Sequence, residues 1–370
     1  MSAKALAAVL TKPRTFEYQE IDIPPIGPEE GILRVEACGL CGTDYEQYCG
    51  HLVDWGGGIP IIPGHEVIGW IEAIGKNAAH RWGVKEGDRA AVEPVVPCGY
   101  CLHCSTGAYT RCESDLGYGL YRNFGKDPRL WGGYATHIYL HPRAMVHRLP
   151  TDIQADEMSL FNPLSNAVRW AYEVPGTGMG DTLVIEGAGQ RGLLAVPVAR
   201  EAGAKNIIVT GRSVAHRRLS LALELGATAT VNIDTEDPVE RVRQLTDGRM
   251  ADVVLDVTAK STEAVTHAIE MVRRGGTVVL AGLKGNRPIE NFLIDKVAFR
   301  EIRLIGVLSA GFTSIERSIA IIRSRRYPLQ KLCSHSYSLK EADQAVRVLG
   351  KEVEDKGEVV HITLKVAETR

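Results

Sequence analysis

The apolar residues of this chain fall into short blocks, and the blocks change character near the middle. Beyond residue 180, strand-like stretches rich in aliphatic and β-branched residues recur at 183–186, 206–210, 230–233, 252–256, 277–281 and 302–306, and 183–185 is wholly apolar. Continuous apolar runs, rather than strict alternation, mark strands covered on both faces. Helical stretches separate most of them. Six such strands predict an α/β domain with a doubly wound parallel sheet over residues 163–309. The first 162 residues read as β-rich instead. Pro24, Pro25, Gly27 and Pro28 break the early chain, strand-like runs follow at 32–38, 67–74 and 89–92, and a glycine-rich loop spans 54–66. After residue 310 the pattern predicts amphipathic helices at 314–323 and 339–349 and a strand at 359–366.

The first of the six strands runs into Gly187, Gly189 and Gly192, spaced G-x-G-x-x-G, and residues 193–202 suit a helix. The first glycine permits a tight turn. The second lets the backbone approach a pyrophosphate. The third lets helix pack on strand, with the helix N-terminus facing the anion. A dinucleotide is the expected ligand, and an ordinary strand–helix turn with incidental glycines is the competing reading. Pro197 is expected to kink that helix or restrict its packing. The second strand ends in Gly211, Arg212 and Ser213, where NAD-preferring folds usually carry Asp or Glu for the ribose 2′-hydroxyl. Losing the carboxylate removes repulsion against a 2′-phosphate, and an arginine fork can bind one. Arg217 and Arg218 lie a helical turn further on. NADP(H) is therefore expected over NAD(H); the alternative is that Arg212 stacks on adenine or points to water.

Composition narrows the classes. The chain has 370 residues, 45% hydrophobic and 24% charged, with net charge −2. That suits a soluble two-domain protein and advertises no nucleic-acid partner. No stretch is long and apolar enough for a bilayer, and the N-terminus lacks a signal-peptide layout, so no membrane association and a cytoplasmic address are expected. Of eight cysteines, Cys98, Cys101, Cys104 and Cys112 stand at intervals of two, two and seven intervening residues. Four clustered thiolates read as a closed structural zinc site. Iron–sulfur clusters use other spacings. A nucleic-acid zinc ribbon would need more cations than Arg111. Cys41, His65 and Glu66 offer the thiolate, imidazole and carboxylate of a catalytic zinc. Their separation in sequence leaves open a buried free cysteine and a structural histidine.

Taken in order, CGLCGTD (38–44), GHE (64–66), GDR (87–89), the four-cysteine lobe, GGYA (132–135) and the glycine triad resemble the zinc-dependent medium-chain alcohol dehydrogenase family. The resemblance spans essentially the whole chain. It implies a GroES-like catalytic domain, residues 1–162 and 310–370, interrupted by a Rossmann dinucleotide-binding domain, 163–309, with substrate held between them. It implies that Cys41, His65 and Glu66 hold a catalytic zinc that binds the alcohol oxygen, and that Thr43 begins a proton relay through the cofactor ribose. Asp44 would steady the ligands, and hydride would pass to C4 of the nicotinamide. Many relatives have a histidine where Glu46 stands; this carboxylate can take a proton or be a solvated surface charge, the latter being favoured. Tyr118, Tyr121, Phe124 and Trp131, joined by Trp55 of the glycine-rich loop, would neighbour a substrate channel, although aromatics more often fill cores. Two departures matter. Asn162 stands where relatives often have a zinc-ligating Glu, Asp or Cys, and an amide is a poorer ligand. Arg191 replaces the usual aliphatic residue before the third glycine; contact with phosphate ranks first, solvent next, an acidic substrate last. The implied function is hydride transfer between an alcohol or carbonyl, for which the aromatics would suit a bulky or aromatic one, and the cofactor, by a homodimer or homotetramer. A zinc-free reductase of activated double bonds and a non-catalytic NADPH-binding protein are the rivals.

Overall fold

The computed structural model describes residues 3–52, 58–114, 116–121, 124–125, 127–290 and 292–366. Trp55 lies outside them. The chain forms two compact units, one of Met1–Asn162, Gly311–Arg323 and Leu332–Arg370, the other of Pro163–Ala310 and Ser324–Lys331.

The first unit holds β1 (Lys4–Lys12), β2 (Thr15–Asp22), β3 (Gly31–Leu40), β4 (Glu66–Ile74), β5 (Arg89–Val92), β6 (His137–Leu140) and β7 (Val146–Arg148). The second supplies β8 (Thr182–Glu186), β9 (Asn206–Gly211), β10 (Ala229–Asn232), β11 (Ala251–Asp256), β12 (Val272–Leu280) and β13 (Arg303–Gly306). The chain then returns to the first unit with β14 (Cys333–Ser338) and β15 (His361–Lys365). The helices used below are α1 (Gly42–Tyr48), α2 (Phe161–Val168), α3 (Gln190–Ala202), α4 (His216–Glu224), α5 (Glu263–Met271), α6 (Phe312–Ser324) and α7 (Ala342–Leu349).

In the first unit, β1 and β2 form an antiparallel hairpin. A seven-stranded sheet runs β14-β15-β3-β4-β5-β7, with β6 also on β3. Leu10, Leu33, Ile68 and Tyr134 are among the fully buried side chains here. Each such aliphatic contributes roughly 1.5–3 kcal/mol by leaving water. Arg89 of the GDR motif is buried too, and its guanidinium is partnered there by donating to Glu36 at 2.7 Å and to the carbonyls of Pro150 and Ile153. The aromatic expectation changes at this point. Tyr118 and Trp131 are 1% and 4% exposed, stack at 5.1 Å, and belong to the core rather than to a channel wall. Phe124 packs against that core, while Tyr121 is exposed.

The second unit is a six-stranded parallel sheet in the order β10-β9-β8-β11-β12-β13. β8 lies in the middle, and every residue of it is buried, which is why its sequence shows no polar alternation. α3 packs behind it with eight consecutive buried residues, Gly192 to Val198 and Ala199. Pro197 sits inside α3 without ending it, at the cost of one backbone donor. Ser324–Lys331 belongs with this unit although the pattern assigned it to the first domain. Charged pairs hold it there: Arg326 and Tyr327 both bond Glu201, and Lys331 bonds Glu224.

Candidate functional site

β3 ends at Leu40, and Cys41 turns the chain into α1 with extended backbone (φ −133°, ψ 175°). The Cys41 N–H donates to Asp44 Oδ2 at 2.8 Å. This return bond at the helix start fixes how the cysteine leaves the chain. β4 begins at Glu66, and sheet register places Glu66 opposite Gly39, so His65 and Glu66 arrive beside Cys41. Cys41 Sγ lies 3.1 Å from His65 Nε2. The ligand atoms of Cys41, His65 and Glu66 all lie within 4.8 Å of one another, and all three residues are buried. His65 Nδ1 faces Asp44 Oδ1 at 3.7 Å, so one carboxylate steadies both helix start and imidazole.

Burial by itself would push the His65 imidazolium down; the charges of Cys41 and Asp44 and the Cys41 hydrogen bond outweigh it and hold the pKa at about 10. A thiol and two carboxyl groups gathered around one buried imidazole form a donor set suited to a divalent cation. Sulfur, nitrogen and oxygen donors with a fourth position left over are the set of a catalytic zinc. Thr43 is half-buried on α1, two residues from Cys41. Glu46 on the same helix is engaged with His51 Nδ1 at 2.6 Å. Asn162 is buried in the first turn of α2.

Cys98, Cys101, Cys104 and Cys112 also bring their sulfurs within 4.8 Å of one another. Backbone N–H groups point at those sulfurs: Cys98 N to Cys112 at 3.2 Å, Cys101 N to Cys98 at 3.3 Å, Cys104 N to Cys101 at 3.5 Å. Such donors favour thiolate over thiol. The Cys104 N–H leads in pulling Cys101 down. Burial pushes Cys112 up, but the Ser114 hydroxyl and the Cys98 N–H bring it to about 6. Burial takes Cys104 the other way, to about 12. The donor set and its N–H cage fit a closed zinc site. Tyr109, between Cys104 and Cys112, ties the lobe to the core by donating to Glu93 Oε2 at 2.8 Å. Glu93 in turn faces His147 Nε2 at 2.9 Å, and His147 Nδ1 faces Glu316 at 2.5 Å.

In the second unit the glycine triad joins β8 to α3. Gly187 has φ +106°, a conformation that side chains disfavour. A Cβ on Gly192 would stand 1.9 Å from the Gly187 carbonyl oxygen, so helix and turn touch there. A Cβ on Gly189 would meet nothing within 4 Å, which leaves the helix start open. Arg191, in the first turn of α3, lies over the Trp170 ring at 5.5 Å. At the end of β9, Gly211 is buried, with Leu219 of α4 and Ala188 close by. Arg212 Nε and the Ser213 N–H converge on Asp234, at 3.0 and 2.8 Å. The Ser213 N–H and then Arg212 hold that carboxyl below its ordinary range. Arg217 is exposed on α4. Asp234 is the participant that the sequence did not announce. It follows β10 by two residues, and only strand order brings it to Arg212.

A β-rich unit with two metal-capable clusters and a parallel sheet with a glycine loop define a dehydrogenase that uses zinc and a nicotinamide cofactor. Family models agree: the alcohol dehydrogenase GroES-like domain matches residues 27–151, and the zinc-binding dehydrogenase domain matches 192–324. The Mycobacterium tuberculosis (strain H37Rv) protein named "Probable alcohol dehydrogenase adh" is 40% identical over 353 residues, 94% of each chain. Erythritol/L-threitol dehydrogenase of Mycolicibacterium smegmatis is 31% identical, covering 94% of this chain and 96% of its own. Among solved structures, an alcohol dehydrogenase from Thermotoga maritima superposes with a TM-score of 0.89 at 28% identity, covering 99% of this chain and 100% of that one. A Sinorhizobium meliloti protein described as a zinc-binding dehydrogenase, in complex with NADP, gives 0.84 at 26% identity, covering 98% and 100%. The chain belongs to the zinc-type medium-chain alcohol dehydrogenases. It is an oxidoreductase that moves hydride between an alcohol or carbonyl substrate and a nicotinamide cofactor. No helix among the described residues is long and apolar enough to cross a membrane.

Proposed function

We propose that this enzyme prefers NADP(H) and works on an alcohol or carbonyl substrate with zinc held by Cys41, His65 and Glu66. When bound, zinc supplies Lewis acidity toward the substrate oxygen and the nicotinamide carries the hydride. Asp44 orients His65 and Cys41. The Thr43 hydroxyl takes up the substrate's hydroxyl proton at Oγ1 and passes on its own. Glu46, tied to His51, serves the surface better than the relay. Gly187, Gly189 and Gly192 seat the pyrophosphate at the start of α3, with Arg191 beside it. Asn162 adds little to metal binding, because an amide oxygen is a weak donor beside thiolate and carboxylate. Cys98, Cys101, Cys104 and Cys112 hold a second, structural zinc.

The observation that carries the NADP(H) preference is the turn after β9. It has no carboxylate at Gly211, and Arg212 and Ser213 already converge on an anion, the Asp234 carboxylate standing where a phosphate oxygen could. The test is the ratio of kcat/KM for NADPH and NADH in the wild type and in Arg212→Ala. Loss of one charged hydrogen bond, about 1.5–3 kcal/mol, should cut the ratio roughly 10- to 150-fold. A wild type that favours NADH sinks the preference. Metal analysis should find two zinc ions per chain, and one after Cys101→Ser.

The enzyme would act in the cytoplasm as a homo-oligomer. β13 ends the parallel sheet with one neighbour among the described residues, and Leu304 on it is exposed, as are Leu293, Ile294, Phe299 and Leu308 nearby in sequence. An open apolar edge suits a second copy of the same strand around a twofold axis. Light scattering of the wild type and of Leu304→Asp checks this: an oligomer that the aspartate dissociates is expected.

A further inference from the structure

β8 ends at Glu186 and β11 at Asp256, and sheet register sets the two side by side. Both are buried, at 3% and 0% exposure. Asp256 has hydrogen bonds at one oxygen and an ion pair, without a hydrogen bond, at the other. Its Oδ1 accepts from the Thr258 N–H at 2.9 Å and the Thr258 hydroxyl at 2.6 Å. Lys284 Nζ lies 2.7 Å from its Oδ2 and also donates to the Thr258 carbonyl and hydroxyl. Glu186 Oε2, by contrast, is buried without a hydrogen-bond partner.

Two carboxyl groups therefore share one ammonium, and the ammonium is committed to Asp256. An ionised Glu186 would be a buried charge with no donor at Oε2, which is costlier than a buried neutral acid. Burial first, then the Asp256 charge, raises its pKa well above the ordinary range, with Lys284 opposing. Other charged groups on the surrounding elements are engaged elsewhere. On α5, Glu263 faces His267 at 3.7 Å with 80% of its side chain exposed. On α3, Arg191 lies over Trp170. The β9 neighbour of Glu186 is the uncharged Thr210. The cluster also touches the glycine loop: Gly187 follows Glu186 directly, and a Cβ on Gly187 would meet Thr258 at 3.1 Å.

We propose that Glu186 is a proton-linked positioning residue for the dinucleotide: its neutral carboxyl under the glycine loop admits the anionic pyrophosphate, and its ionisation disfavours it. The inference rests on the glycine loop being the cofactor site. Nothing covalent changes; binding to the ionised form draws one proton from solvent onto Glu186 Oε2. Affinity should thus fall as pH rises past the pKa of the free protein.

The experiment titrates NADPH, by its fluorescence, into wild type and Glu186→Gln between about pH 7 and 9.5, above the second phosphate pKa of about 6. Wild-type Kd should rise toward about tenfold per pH unit, the slope of one linked proton. The variant should match the wild type at the low end and stay flat. Calorimetry of the wild type in buffers of different ionisation enthalpy should show proton uptake approaching one per NADPH, and this decides the matter if the variant does not fold. Equal pH slopes in both proteins, or no proton uptake, overturns the inference. Failure of the wild type to bind NADPH at any pH overturns instead the cofactor reading beneath it.

Discussion

Alanine at Gly192 and alanine at Gly189 separate what the glycine loop does for the fold from what it does for a ligand. At Gly192 the new Cβ would stand 1.9 Å from the Gly187 carbonyl oxygen, and real Cβ atoms essentially never come within 3.0 Å. The turn must then open by at least 3.0 − 1.9 = 1.1 Å. The obstacle is backbone, so no side chain can swing aside. Overpacking of this kind costs about 1–3 kcal/mol. At roughly 2–4 °C per kcal/mol for a domain of 150–250 residues, melting should fall by about 2–12 °C. The same opening displaces the first N–H groups of α3, and a 1 Å misplacement costs roughly 100-fold in a positioned interaction. Gly189→Ala is different. Its φ of −79° suits alanine, and nothing lies within 4 Å of the added methyl. Stability should stay within about 1 kcal/mol, the usual difference at a helix start. The methyl nevertheless occupies the approach to the helix N-terminus, so NADPH should bind at least about tenfold more weakly. Thermal melts followed by circular dichroism, with NADPH fluorescence titrations on the same samples, read both effects. The reasoning is refuted if Gly192→Ala melts and binds like the wild type, or if Gly189→Ala binds NADPH undiminished.

Three further outcomes follow from named contacts. His147 has a carboxylate on each ring nitrogen; burial lowers its pKa, but the hydrogen bonds it donates to Glu93 and Glu316 raise it overall. A raised folded value means the contribution is complete below the unfolded pKa of about 6.5 and is lost as pH climbs through the folded one. His147→Phe should therefore be about 3–5 kcal/mol less stable at neutral pH, with Glu93 left uncompensated, and should lack the wild-type decline toward alkaline pH in urea titrations. Asp44→Asn should weaken zinc binding about 10- to 100-fold in chelator competition, since the carboxylate that steadies His65 is gone. Asp234→Asn should tighten NADPH binding several-fold and leave NADH nearly unchanged, because Arg212 and Ser213 lose a competing anion; unchanged NADPH affinity would show that Asp234 does not occupy the phosphate position.

The parallel sheet was legible chiefly from its central strands β8, β9 and β11, which are covered on both faces and carry near-continuous apolar runs. β8, β9 and β11 begin or end within a residue of the expected bounds. β12 starts at Val272, five residues early, because Arg273, Arg274 and Gly275 are exposed and disguise its first half as a loop. The β1–β2 hairpin was not foreseen: most of β2 is exposed, so its sequence carries little periodicity. The four-cysteine lobe could be read from spacing, since its sulfurs come from one short loop. Cys41, His65 and Glu66 could not, because sheet pairing rather than sequence distance unites them. The same holds for Arg212 with Asp234 and for Glu186 with Asp256, each created by which strands lie side by side. For Tyr118 and Trp131 the sequence left core and channel wall open, and both pack in the core. Aromatic composition alone does not tell a core from a cavity wall.

The sheet that carries Cys41 is completed very late. Leu40 on β3 pairs with Ile362 on β15, while β8 to β13 come from one uninterrupted stretch. At about 5–20 residues per second on the ribosome, on the order of tens of seconds pass between the making of those two partners. During that interval the nucleotide fold can close by itself, whereas the reactive sulfur waits on an edge without its neighbour. Nascent chains are then most open to oxidation or to capture of a wrong ion at the cysteine proposed to hold the zinc, and early metal delivery would protect them.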